Sequence, residues 1–259
     1  MKRRMLDNAI LTNVFSNRTA LVTGASKGIG RAVVMSLASQ GAHVLFTYRT
    51  NDNSVVTLKE WARTKHVQVT GVLCDHTDAF SDADLRAAIV DVGRLDILVN
   101  NVGDVVKRAT FEESDDHLWR AAVEINLMAP VHITRLCLPW LARSDRAAIV
   151  NVSSIAGCHG GSGDSLHYAS AKGALNIFTK GLAKELALKG IRVNGVAPSA
   201  IDTDFQTRHS SPERVARVVA GTPMGRMGTA QEVADVVVFL ASDGASYISG
   251  ETILIAGGR

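Results

Sequence analysis

Thr19-Ala20-Leu21-Val22-Thr23-Gly24-Ala25-Ser26-Lys27-Gly28-Ile29-Gly30 joins a short apolar run to a glycine cluster, and a helical pattern over residues 31–40 follows, closed by Gly41. The run reads as a buried strand over 19–23. The glycines let the chain turn sharply and let its backbone approach a ligand closely. The helix start then presents free N–H groups and the positive end of its dipole, which suits phosphate. The spacing is Gly-x3-Gly-x-Gly, distinct from Gly-x-Gly-x-x-Gly. A plain strand-to-helix turn would also use glycines, so the reading depends on the elements around them.

Working outward, apolar runs bounded by turn residues alternate with helical patterns along the chain, with no repeat and no low-complexity linker. Strands are expected at 44–48, 67–73, 97–100, 148–152, 192–197 and 252–255. Helices are expected at 54–64, 82–92, 115–126, 131–142, around Tyr168 and onward, and at 230–240. Nearly continuous apolar strands alternating with helices point to a parallel sheet covered on both faces. The expected fold is α/β: a doubly wound, mostly parallel sheet flanked by helices on both faces, with ligands beyond the carboxyl ends of its strands. One domain spans 1–259. Residues 1–17 form a short N-terminal extension, and the long connection 198–223, with Phe205, His209 and Pro212, reads as a substrate lid.

A chain of 259 residues, 46% of them hydrophobic, can bury a substantial core. A net charge of +3 with 20% charged residues is too mild and too scattered to argue for nucleic acid. Met1-Lys2-Arg3-Arg4 is basic, but no apolar segment of a signal peptide follows it. No run reaches transmembrane length. Cys74, Cys137 and Cys158 show no metal-ligand spacing and cannot all pair within one chain, which suits a reducing compartment. The expectation is a cytoplasmic protein with no metal, no membrane and no nucleic-acid partner.

Tyr168-Ala-Ser-Ala-Lys172 begins a long stretch with Ala171, Leu175, Phe178, Leu182 and Leu186 at helical spacing. Residues four apart share a helix face. A phenol is a poor acid, with a pKa of about 10. An ammonium about 4 Å away, at an effective dielectric of about 20, favours the phenolate by roughly 4 kcal/mol. Proton transfer near neutral pH then comes within reach. Alone, the pair is also what an ordinary helix with an exposed tyrosine and lysine would show.

With these landmarks in order, the chain resembles the short-chain dehydrogenase/reductase family from about Thr19 to Gly258. Thr23 to Gly30 is similar to that family's TGxxxGxG cofactor loop. Asp75, in Cys74-Asp75-His76-Thr77-Asp78, resembles the acid that holds the adenine amino group. Asn100-Asn101-Val102-Gly103 resembles the NNAG segment, with Val102 in place of alanine. Asn126, Ser154 and the Tyr168–Lys172 pair match the catalytic set. The implied fold is a Rossmann sheet and the implied activity is hydride transfer between a nicotinamide and a ketone or secondary alcohol. Tyr168 would move the proton, Ser154 would donate to the carbonyl oxygen, Lys172 would lower the Tyr168 pKa and bind the nicotinamide ribose, and Asn126 would hold a water. The implied cofactor-binding residues are Gly24, Ser26, Lys27, Gly28, Ile29, Gly30, Arg49, Asp75, His76, Asn101, Gly103, Tyr168, Lys172, Pro198, Ile201 and Thr203, with no metal ligand. Ser154 is preferred to Ser153 because the second serine usually takes the catalytic slot. His159 and His167 are expected to be surface loop histidines.

The second strand ends Thr47-Tyr48-Arg49-Thr50, without the acid that NAD-preferring relatives place at the Tyr48 slot. Arg49 and Lys27 suit a 2′-phosphate, so NADP(H) is expected, with Asp52 free to point away. Ser199 and Ala256 depart from the glycine and aspartate usual in the family. The C-terminal part resembles the family's tetramer-forming segment, implying a homotetramer. The small residues Ala156, Gly157, Gly160, Gly161, Ser162 and Gly163, with no arginine in 154–168 or 198–206 and only Arg208 nearby, suggest a neutral mouth for a small carbonyl or alcohol substrate. The closest rival is a 3-oxoacyl-thioester reductase acting on an acyl carrier protein. A non-catalytic nucleotide-sensing scaffold is the alternative of another class, and a broken serine–tyrosine–lysine set would be its signature.

Overall fold

The strand that opens the reading, β1 (Thr19–Val22), is buried at every position and passes through the glycine loop into α1 (Gly28–Ser39). The computed structural model describes residues 14–77 and 82–259. The chain continues through β2 (His43–Tyr48), α2 (Asn53–Thr64), β3 (Val69–Leu73), α3 (Asp82–Val92) and β4 (Ile97–Asn100). Next come α4 (Asp116–Val123), α5 (Ala129–Leu141), β5 (Ala148–Val152), the short α6 (Ala156–His159) and the long α7 (Leu166–Leu186). The last part holds β6 (Arg192–Pro198), β7 (Ile201–Asp202), α8 (Asp204–His209), α9 (Pro212–Ala220), β8 (Gly228–Thr229), α10 (Ala230–Ala241) and β9 (Thr252–Ile255).

Among the described residues, seven strands form one sheet in the order β3-β2-β1-β4-β5-β6-β9, with every pair parallel. The order reverses between β1 and β4, which opens a crevice at their carboxyl ends. The two faces explain why the central strands lack polar alternation. Val22, Val44 and Val99 pack with α1 and α10 on one side, while Leu21, Leu45 and Leu98 pack with Ile89, Ile133 and Leu186 on the other. The doubly wound α/β Rossmann architecture expected from the sequence is therefore present as a single domain.

Residues 1–13 of the expected 1–17 extension lie outside the described residues. Phe15 is fully buried in the core, and its N–H donates to the Gln40 carbonyl at 2.9 Å. Two stretches differ from the sequence reading. The helices expected at 115–126 and 131–142 form one continuous helix, because a π turn at Glu124–Met128 bridges α4 and α5. The joined helix, Asp116–Leu141, has 26 residues and is long and apolar enough to cross a membrane by length and composition, contrary to the expectation that no run reaches that length. Its Ile133, Leu136, Cys137 and Leu141 face the domain core. The connection 198–223 is not irregular either: it carries β7, α8 and α9. Ser211 caps α9 by accepting from the Arg214 N–H, with Pro212 in its first turn.

Candidate active site

A cleft of about 740 Å³ runs along the carboxyl ends of the strands, from Tyr48 and Arg49 to Tyr168 and Phe205. At its β1 end, Gly24 and Gly28 adopt positive φ (59° and 55°). The loop is fixed by named bonds: the Gly24 N–H donates to Thr47 Oγ1 at 3.0 Å, and Asn101 Nδ2 donates to the Thr23 and Gly24 carbonyls at 2.9 and 3.1 Å. Lys27 occupies the N-cap of α1 without a side-chain capping bond. First-turn N–H groups therefore remain for a ligand, and Ser26, Lys27, Gly28 and Ile29 line the cleft. A Cβ on Gly28 would lie 3.5 Å from Thr203 and fill part of the passage between loop and β7. An elongated cleft with an uncapped helix start and a side-chain-free floor fits a dinucleotide.

Arg49, Asp75, His76, Asn101, Gly103, Pro198, Ile201 and Thr203 also line this cleft. Gly30 does not: a Cβ there would meet Asn101 Nδ2 at 2.5 Å and Ala25 Cα at 2.7 Å, so this glycine lets α1 pack against the loop. His76 turns its ring inward, with Nε2 2.7 Å from Thr47 Oγ1 and Nδ1 3.6 Å from Cys74 Sγ. Burial pushes its pKa down to about 4, so the imidazole is neutral. Asp75 accepts from the Thr77 N–H at 3.0 Å and from Thr77 Oγ1 at 2.7 Å. Asp52, which the sequence left free to point away, turns toward the glycine loop. It pairs with Lys27 at 2.7 Å, and the Lys27 hydrogen bond, with that of Ser54, holds its carboxyl down to about 2.

Ser154, Tyr168 and Lys172 meet at the other end of the cleft. Ser154 lies beside the Tyr168 hydroxyl, where it favours the ionised form, and its Oγ accepts from the Ala156 N–H at 3.1 Å. Ser153 is buried, with Oγ donating to the Lys172 carbonyl at 3.2 Å, so it ties β5 to α7 instead. Lys172 Nζ donates to the Val152 carbonyl at 2.8 Å and lies 5.9 Å from the Tyr168 ring centroid. The electrostatics differ from the expectation of an acidified phenol. Burial pushes Tyr168 up to about 12, against the effect of Ser154, and burial pushes Lys172 down to about 7. The protein's own groups thus leave Tyr168 a protonated donor at neutral pH. Asn126 lies inside the π turn, fully buried and off the cleft. Its Oδ1 accepts from the Asp104 N–H at 3.1 Å, and its Nδ2 donates to the Asp104 and Ala122 carbonyls at 2.7 and 2.9 Å. The side chain positions the backbone after Gly103.

The depressed Lys172 pKa has a measurable consequence. Between about pH 7 and its ordinary value near 10.5, the unfolded chain binds this proton and the folded chain does not. Lys172 therefore contributes stability above that window that is lost as pH falls through it, with a slope of up to about 1.4 kcal/mol per pH unit. Urea midpoints of Lys172→Met should show this rise removed between pH 7.5 and 9 on the order-of-magnitude slope above. Parallel pH profiles for variant and parent would contradict the buried, neutral lysine.

The mouth is charged: Arg108, Arg208 and Arg214 line it together with Asp104 and Asp204, and Asp164 stands behind two of the arginines. Arg108 and Arg214 pair with Asp164 at 3.0 and 2.6 Å, and Arg208 and His209 pair with Asp104 at 3.2 and 2.6 Å. These contacts clasp α8 and α9 to the loops after β4 and α6. Phe205 lies 6.5 Å from the Tyr168 ring, between centroids. Of the small residues expected to form the mouth, Ala156, Gly161 and Ser162 line it, while Gly157, Gly160 and Gly163 do not. His159 lines the cleft, but His167 is buried, with Nε2 3.1 Å from the Val105 carbonyl and its ring against Trp119. The arginines escape sequence reading because only the fold brings residues 104–108, 162–164 and 204–214 together.

A strand–glycine–helix cofactor cradle facing a serine–tyrosine–lysine cluster defines a nicotinamide-type oxidoreductase site. The chain belongs to the short-chain dehydrogenase/reductase family: a family model described as "Enoyl-(Acyl carrier protein) reductase" matches residues 24–259. It is 38% identical over 245 residues to the 3-oxoacyl-[acyl-carrier-protein] reductase FabG of Escherichia coli (strain K12), covering 94% of this chain and 98% of that protein. It is 39% identical over 250 residues to the uncharacterized oxidoreductase YmfI of Bacillus subtilis (strain 168), covering 93% of this chain and 98% of that one. The crystal structure of gox2181 superposes with a TM-score of 0.88 at 32% identity, covering 94% of this chain and 95% of that chain. The protein is accordingly an oxidoreductase with 3-oxoacyl reductase-like sequence.

Proposed function

We propose that this enzyme uses NADP(H) to interconvert a ketone and a secondary alcohol, with a 3-oxoacyl thioester as the favoured substrate class. The observation that carries the reading is the grouping of Ser154, Tyr168 and Lys172 at one end of a cleft whose other end is the glycine loop. When bound, the nicotinamide supplies the hydride chemistry. Tyr168 gives its proton to the carbonyl oxygen in reduction and takes it back in oxidation. Ser154 donates to the same oxygen and fixes its position. Lys172, buried below the tyrosine, carries the exchangeable proton, and Asn126 holds the Gly103–Asp104 backbone beside it. Segment 198–223 serves as the lid.

Two observations favour the thioester class over a small neutral ketone. Relatives similar over nearly their whole length carry the name 3-oxoacyl-[acyl-carrier-protein] reductase. The mouth presents the guanidinium groups of Arg108, Arg208 and Arg214, donors suited to the phosphate of a phosphopantetheine arm. For the cofactor, Arg49 and Lys27 border the end of the cleft beyond β2, and no acid occupies the Tyr48 slot. Asp52 neutralises part of Lys27, so Arg49 is the main reader of a 2′-phosphate. Cytoplasmic placement and a homotetramer complete the proposal. Leu254 on the edge strand β9 and Ile177 on α7 are exposed apolar groups that subunit contacts would cover.

The test is NADPH oxidation with matched neutral ketones, 2-oxo acids, free 3-oxoacyl thioesters and carrier-linked thioesters. The expected order places the carrier-linked thioester first in kcat/KM. A simple 2-oxo acid more than about tenfold above every thioester would reject the substrate class. NADPH should be preferred over NADH by at least about tenfold, or roughly 1.4 kcal/mol. Arg49→Ala should erode that preference through the cofactor KM more than Lys27→Ala does. An unchanged ratio in the double variant would assign phosphate reading to other groups.

A further inference from the structure

We infer that Cys74, His76 and Asp82 form a binding site for a thiophilic divalent cation of the Zn²⁺ class beside the β3 end of the cleft. Cys74 and His76 follow β3, and Asp82 begins α3. Their ligand atoms all lie within 4.8 Å of one another. Cys74 Sγ is 3.6 Å from His76 Nδ1 and 4.0 Å from Asp82 Oδ1. A tetrahedral ion with a metal–sulfur bond of about 2.3 Å and metal–nitrogen or metal–oxygen bonds near 2.1 Å has ligand–ligand edges of about 3.6 Å. The first distance already meets that edge and the second needs only a small contraction.

The surroundings are those of a supported site. The second ring nitrogen of His76 lies 2.7 Å from Thr47 Oγ1, which leaves Nδ1 directed at the thiol. The second carboxylate oxygen of Asp82 contacts His132 Nε2 on α5. His76 and Asp82 therefore each have an outer partner that fixes their orientation. Charge also balances: a thiolate and a carboxylate neutralise a dication, and the imidazole adds none, so the assembly can be buried. Leu85, Ile89 and Cys137 belong to the same buried apolar cluster as Cys74. Cys74 and His76 also reach the cleft lining, which supplies an entry path. The fourth position is left for water. Sequence reading weighed only the cysteine spacing and so passed over Cys74-x-His76, whose carboxylate partner sits six residues beyond it.

The ion would clamp the end of β3 to the starts of α3 and, through His132, to α5. Through Thr47 Oγ1, which also accepts from the Gly24 N–H at 3.0 Å, it would reach the glycine loop. Its role is structural, and the hydride chemistry does not use it.

The experiment uses the full chain with Cys158→Ala, which removes the exposed thiol. After chelator treatment, Zn²⁺ is titrated against a chromophoric chelator, and Co²⁺ is added separately and read by absorbance. The expected results are one Zn²⁺ per chain, a raised Tm, and a cobalt spectrum with tetrahedral d–d bands and a thiolate charge-transfer band. Cys74→Ser and His76→Val should each abolish that band. His132→Ala should retain it while weakening Zn²⁺ by about 10-fold, as loss of an outer partner does. A cobalt spectrum without the thiolate band overturns the site from the Cys158→Ala protein alone, so the test stands even where a ligand variant does not fold. Zn²⁺ affinity unchanged in folded Cys74→Ser and His76→Val would overturn it equally.

Discussion

Tyr168→Phe should keep its fold and its nucleotide affinity while turnover falls by about 10²–10⁴. The substitution removes only the hydroxyl, the group beside Ser154 at the end of the cleft. The ring stays against Phe205, 6.5 Å away between centroids, so packing under α8 is retained. With the phenol pushed up to about 12, the tyrosine is fully protonated at neutral pH and is a ready donor to a carbonyl oxygen that has received a hydride. Phenylalanine leaves that oxygen only Ser154 and solvent. Ser154→Ala should cost roughly 10²–10³, because it removes a donor aimed at developing charge. Since both groups serve one oxygen, the double variant should lose little beyond Tyr168→Phe. The measurements are single-turnover rates at saturating NADPH, with cofactor binding followed by fluorescence quenching. A Tyr168→Phe rate within tenfold of the parent, or losses that simply multiply, would move the proton donor elsewhere.

The architecture was legible because its two signals are local. Ala20, Leu21 and Val22 must be apolar in succession, since both faces of β1 are covered. The glycine loop must lack side chains where Gly24 and Gly28 take positive φ. Ser154, Tyr168 and Lys172 were legible through family resemblance, not through any spacing that implies contact across fourteen residues. Other features depend on tertiary placement. The α4–α5 junction looked like a break because a π turn adds one residue and shifts the apolar period. Helix α8 is under two turns long and buries no residue, while α9 carries an apolar stripe, Val215, Val218 and Val219, that with the Ser211-Pro212 start could have been read as a helix. The charge of the mouth was misjudged because counting arginines within two segments ignores Arg108 and Arg214, which arrive from other parts of the chain.

Gly157→Ala should reduce turnover by roughly 10² and lower stability by about 1–3 kcal/mol, although the glycine touches no cleft surface. Gly157 does not take positive φ; its constraint is steric. A Cβ there would sit 2.6 Å from the Lys172 carbonyl carbon, 2.7 Å from the Gly173 nitrogen and 2.9 Å from the Lys172 oxygen. All three are backbone atoms of α7, so no side chain can swing aside. The added methyl must push α6 away from α7. That displacement acts on both ends of the catalytic cluster, because Ser154 precedes α6 and Lys172 lies at the crossing. It also strains the Ser153–Lys172 carbonyl bond of 3.2 Å and the Lys172–Val152 carbonyl bond of 2.8 Å. Ser154 and Tyr168 then lose register with one another by a fraction of an ångström or more, enough to cost rate without any change in chemistry. In a chain of this size the stability loss corresponds to a Tm fall of about 2–6 °C. Gly181→Ala is the matched control: it lies in α7 with nothing within 4 Å of its added Cβ. Alanine is the better helix former by about 1 kcal/mol, so this variant should gain stability and keep its rate. Calorimetric Tm should move in opposite directions in the two variants, and kcat should fall only in Gly157→Ala, if the helix crossing sets the site. A Gly157→Ala protein as active and as stable as Gly181→Ala would show that α6 can yield without moving Ser154, and the crossing would lose its positioning role.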